Sequence, residues 1–168
     1  MSIIYVDDPS EELFILPNKM QILIDYGLKD DSFKDPFIFG FTRCSSLYRR
    51  SRLLDRNQNV ISQVIEENPD FISEEDQQQF YEKGLLLGNE FEKYVHFEND
   101  MVAKIDYWST PKEKNENCGR FTAKFMKITL YDKFNKIISE IMERNPYYLP
   151  TGNLRVVDER SYEDDFLD

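Results

Sequence analysis

Apolar and polar positions change period several times along this chain, and each change marks an expected element. The opening SIIYV reads as a short strand. In PNKMQILIDYGL, Met20, Ile22, Leu23 and Ile24 predict a short helix ending near Gly27. The aromatic link KDDSFKDPFIFG is punctuated by Pro36 and Gly40, after which Ser45 and Ser46 can cap a helix running to about residues 56–59. Val60, Ile61, Val64 and Ile65 fit a second helical pattern, which stops before Pro69. Ser73 and Asp76 stand at capping-box spacing and open a third helix, continued by Phe80, Leu87, Phe91, Tyr94 and Val95 and interrupted by Gly84 and Gly88.

Residues 101–109 and 120–130 alternate apolar with polar side chains around the polar TPKEKNENCG, the pattern of a long-looped hairpin. Phe134, Ile137, Ile138, Ile141 and Met142 then return to helical spacing as far as Pro146. The sum is an α+β fold: a mostly helical single domain with a small antiparallel sheet, its hairpin near residues 101–130. Residues 1–145 form the expected globular domain. Residues 146–168 read as an irregular arm ending in a mobile acidic tail, with six acids to one Arg between Val156 and Asp168. The chain reads as free of internal repeats.

Composition narrows the class. A chain of 168 residues with 40% hydrophobic residues can bury one core, and no apolar run reaches the roughly 18 residues that span a bilayer. The N-terminus lacks the basic and apolar regions of a signal peptide, so a reducing, cytoplasmic setting is expected, with Cys44 and Cys118 as thiols. A net charge of −11 and a pI near 4.6 oppose binding to nucleic acid or anionic membrane.

Candidate chemistry is sparse. Tyr5-Val6-Asp7-Asp8 has the letters of a polymerase carboxylate motif, but too little chain precedes it to build the palm that motif needs. His96 is the sole histidine, which excludes zinc sites built on two or three of them. Acidic pairs such as Asp30-Asp31, Glu66-Glu67 and Glu74-Glu75 are too abundant to single out an active site. Phosphate loops, dinucleotide turns and EF-hand loops are absent from the sequence. No catalytic, metal or cofactor-binding residue is therefore assigned, and no cofactor is expected.

One stretch departs from this background. Arg43, Arg49, Arg50, Arg52 and Arg56 fall within fourteen positions that hold one acid, Asp55, and no lysine. On a helix Arg49, Arg52 and Arg56 would share one stripe, suited to carboxylates through planar, bidentate guanidinium donors. Three readings compete: pairing with the acids of residues 66–76, a protein interface, and contact with nucleic-acid phosphates. Tyr162, Phe166 and Leu167 in the acidic terminus could anchor a docking peptide. The function expected is a non-catalytic protein-binding component, an adaptor or assembly subunit that uses the arginines and the acidic arm and can join an oligomer or hetero-assembly. The alternatives are an acidic inhibitor that mimics nucleic acid and a carboxylate-dependent hydrolase.

Overall fold

The structure, a computed structural model, describes residues 3–5, 11–29, 37–39, 43–83, 91–108, 119–148 and 155–157. It overturns the mostly helical expectation: the described chain is almost wholly antiparallel β, with one ten-residue helix. Strands β2 (Glu11–Ile15), β3 (Gln21–Lys29), β5 (Tyr48–Leu54) and β6 (Val60–Glu67) form one meander, and β4 (Phe37–Phe39) adds to the end of β3. Strands β7 (Glu92–His96), β8 (Val102–Trp108), β9 (Phe125–Tyr131) and β10 (Ile137–Arg144) form a second. A ribbon of β1 (Ile3–Tyr5) and β11 (Arg155–Val157) joins the two ends, so the segment expected to be an irregular arm contains a strand. The acidic terminus beyond it lies outside the described residues.

Four expected helices are strands instead: residues 21–27 belong to β3, Arg49, Arg50 and Arg52 of the arginine cluster to β5, residues 60–65 to β6 and residues 137–142 to β10. The hairpin read at 101–130 is present as β8 and β9, paired from Val102 opposite Tyr131 to Trp108 opposite Phe125. The expected helix start also holds. Helix α1 (Glu74–Lys83) is capped by Ser73, whose Oγ accepts the Asp76 amide at 3.2 Å, with three acids in its first turn favoured by the helix dipole. Of its expected continuation, Tyr94 and Val95 belong to β7, while Gly84, Leu87 and Gly88 lie outside the described residues.

The two meanders are structural copies of one another. Both pair their four strands in chain order, and their burial patterns agree almost residue for residue: β6 and β10 each begin exposed, exposed, buried, exposed. Each has a bulge at the same place, Ile61 opposite the Leu53–Leu54 step and Ile138 opposite Leu130–Tyr131. The four tight hairpins among the described residues close with the same pair of backbone bonds, and their fourth turn residues, Lys19, Gln58, Asp100 and Asn135, all have φ between 64° and 69°. Asn18 and Asn99 take the amides of Met20 and Met101 at 3.2 Å, while Asp55 and Asp132 each take two turn amides.

Past each meander the chain is anchored by a buried asparagine. Asn68 donates to the Arg43 and Ser46 carbonyls, and Asn145 to those of Arg120 and Ala123. Each also accepts an amide two residues on, at 3.0 Å. The expectation of a chain without repeats is therefore corrected. Inward-facing residues of both sheets, including Phe14, Ile22, Ile24, Leu53, Val95, Ile105, Ile128 and Leu130, make a single core. Removing the Asn68 or Asn145 amide would strand buried carbonyls, so Asn68→Ala and Asn145→Ala are each expected to cost about 2–4 kcal/mol. Urea unfolding should give similar losses for the two.

Candidate functional site

On a strand, unlike a helix, neighbouring side chains point to opposite faces, and this splits the arginine cluster. Arg49 faces inward beside Ser51 and Leu53 and is 3% exposed. Its Nε donates to Glu66 at 3.0 Å and its Nη2 to the Tyr94 carbonyl at 3.0 Å, tying β5 to β7. Arg50 and Arg52 face outward. Both grip the buried Asp25 carboxylate: Arg50 through two bonds of 3.0 and 2.9 Å, Arg52 through one of 2.9 Å. Arg56 is exposed in the β5–β6 turn, and Arg43 is buried next to Asp70 at 3.4 Å. No common stripe of Arg49, Arg52 and Arg56 forms, and the acids at 66 and 70 engage two of the five arginines. Tyr162, Phe166 and Leu167 lie outside the described residues, as do Cys118 and Asp7-Asp8.

The densest charged cluster is between the sheets, at positions that sequence reasoning passed over. Glu12 of β2 and Lys93 of β7 occupy the same place in the two copies and meet at 2.7 Å, both almost fully buried. The Tyr26 hydroxyl lies 2.9 Å from Glu12 and 3.2 Å from Asp70 and accepts from Lys93 Nζ at 3.1 Å. Arg120 reaches the other Glu12 oxygen at 3.5 Å and lies 3.9 Å over the Tyr147 ring. Arg43 with Asp70 and Arg120 with Tyr147 are again equivalent positions. The available signal was the polar member of each inward alternation, Glu12 before Phe14 and Lys93 before Val95.

Burial alone would raise the Glu12 pKa, but Lys93, Arg120 and Arg43 overcome it and hold the carboxyl far below its ordinary range. Asp70 is likewise depressed: burial raises it, and Lys93, Arg43 and Arg49 more than reverse this. Burial, together with Glu12 and Asp70, pushes the Tyr26 phenol well up, so it stays protonated as a donor. Such carboxylates are fixed anions, unsuited to donating a proton near neutrality.

Among the described residues, no group of three or more His, Cys, Asp or Glu side chains is arranged to hold a metal ion. His96 is exposed on β7 near the Tyr94 ring, and Cys44 is buried. An open hollow of about 230 Å³ is lined by Leu47, Tyr48, Glu67, Asn68 and Phe71. No helix of the described residues is long and apolar enough to cross a membrane. In comparison with known proteins, the chain matches no family model, no curated sequence and no solved structure.

Two outcomes follow from the charged cluster. Lys93→Met leaves Glu12 buried without its nearest cation and is expected to cost about 3–5 kcal/mol, read by urea unfolding. Because the folded pKa values of Glu12 and Asp70 lie below their ordinary 4.5 and 3.8, their stabilisation is complete above those values and is lost as pH falls through and below them. Glu12→Gln should therefore be less stable than wild type at pH 7, with the gap narrowing steadily below about pH 4.5.

Proposed function

We propose that this protein is a non-catalytic protein-binding module whose partner-facing surface is the outer face of the first sheet. The observation that carries this reading is the half-exposure of Leu13 (49%) and Ile15 (50%) on the edge strand β2. Leu13 stands opposite Leu23, which stands opposite Arg52, so an apolar strip runs directly into the Asp25–Arg50–Arg52 cluster. Apolar side chains beside arginines held in place by a buried carboxylate are the composition of an interface core with oriented polar contacts. The arginines thus keep the binding role expected for them, with Arg50 and Arg52 in the place of the helical stripe. A reducing, cytoplasmic setting and an acidic or neutral protein partner belong to the same proposal.

The hydrolase reading draws little from the geometry, because the buried carboxylates Glu12 and Asp70 are depressed by cations. A catalytic acid needs its pKa raised. The test places a photo-crosslinking residue at position 13 in the native source, and at Glu143 on β10 as a control. Position 13 should give a discrete protein adduct that Glu143 does not, and that adduct should vanish in an Arg50→Glu, Arg52→Glu background that still folds. Equal adducts at both positions, or none at 13, would refute the reading.

A further inference from the structure

The two copies of the meander do not carry the same charges at the surface where they meet. From the first come Glu12, Arg43 and Asp70; from the second, Lys93 and Arg120, with Tyr147 standing where the first has Asp70. The positions are equivalent, so the same backbone could bring two first copies together, or two second copies. Two first copies would set two Glu12 carboxylates against each other with no lysine between them, while Arg43 and Arg49 already face Asp70 and Glu66 within each copy. Two second copies would bury four cations with no carboxylate. Only the unlike pairing sets Glu12 against Lys93 at 2.7 Å and Arg120 against Glu12 at 3.5 Å, whereas the Arg43–Asp70 pair lies within the first copy and accompanies it in any pairing.

We propose that this inter-sheet network is a pairing code: each half accepts only the unlike half, whether from its own chain or, by reciprocal exchange of halves, from a second copy of this chain. The core requires a partner of some kind, because one apolar cluster draws on both sheets and a half standing alone leaves its share open to water. The discrimination comes from charge, since the apolar residues of the two halves are similar in kind and would tolerate any pairing. Bringing like charges together in a buried site is heavily opposed, and an unpaired buried ion is nearly as costly.

The consequence is specific to mixtures of full-length chains. Glu12→Lys makes every half-pairing available within that variant cation-rich, whereas Lys93→Glu makes the unlike pairing anion-rich, and pairing like halves in that variant still sets two first copies, with their surplus of carboxylates, against each other. Mixed together, they can exchange halves, which restores one wild-type Glu12–Lys93 network and, in the other, sets the two substituted side chains against each other as an ion pair of reversed polarity. Each variant alone should melt about 10 °C or more below wild type or fail to fold. Co-refolded from denaturant at equal concentrations, the pair should yield a 1:1 dimer by native mass spectrometry, with at least half of the lost melting temperature recovered. Glu12→Gln mixed with Lys93→Gln provides a milder version, in which the second site becomes a neutral amide pair. The proposal is overturned if either charge reversal melts within about 2 °C of wild type. It is equally overturned if neither mixture gives a 1:1 dimer, or if homodimers of one variant form as readily as mixed ones.

Discussion

The contact between Glu12 and Lys93 is the constraint around which the rest of the molecule is arranged. Two ions taken from water to the middle of a protein gain little net stability over apolar residues of the same size. Their value is conditional: once Phe14, Val95 and their neighbours have closed over them, neither ion tolerates any other partner. The apolar cluster supplies the driving force, and the charges decide which surfaces it joins and in what register. Tyr26 bonds both members of the pair, Asp70 stands 3.8 Å from Lys93 and Arg120 3.5 Å from the second Glu12 oxygen, and Arg43 pairs with Asp70.

The internal repeat explains why so much of the structure occurs twice, and its exceptions show where the copies differ. The hairpins, bulges and anchoring asparagines are alike because each solves a local problem of backbone geometry. The outer faces differ. Where the first sheet holds Leu13, Leu23 and Arg52, the second holds Tyr94, Lys104 and Thr129, with Lys104 beside both Asp106 and the Tyr94 ring. The shared architecture thus carries one aliphatic, arginine-bearing face and one aromatic, lysine-bearing face.

The sequence disclosed some of this and concealed the rest for physical reasons. The β8–β9 hairpin was legible because its alternation is clean, and the start of α1 because a serine cap and acidic first turn are local signals. The pairs Val60-Ile61, Val64-Ile65 and Ile137-Ile138, Ile141-Met142 imitate helical spacing because a bulge inserts one residue into each strand and breaks the period of two. Strand β5 was hidden by Arg49, a charged side chain at an inward position whose partners lie seventeen and forty-five residues away. The repeat itself was readable: LLDRNQNVISQVIEENP aligns with LYDKFNKIISEIMERNP, sharing the turn aspartate, the Ile-Ser step after it and the closing Asn-Pro. Exchange of most other residues within apolar and polar classes masked the kinship. Of the candidate site, only the arginines stand out in the sequence, because Glu12 and Lys93 acquire meaning only when the sheets meet.

One departure between the copies concerns strand edges. The β7–β8 turn is fastened to β6 by the Glu98 amide, which donates to the Gln63 carbonyl at 3.2 Å, and by Asn99 to Ser62. The equivalent of Glu98 is Pro17, which has no amide hydrogen to offer. The end of β2 therefore forgoes that fastening, and it is also a poor template for another chain to extend. An edge strand with half-exposed Leu13 and Ile15 would otherwise invite sheet-to-sheet polymerisation. Proline at that corner lets the protein keep an apolar edge without inviting the open-ended growth of a fibre.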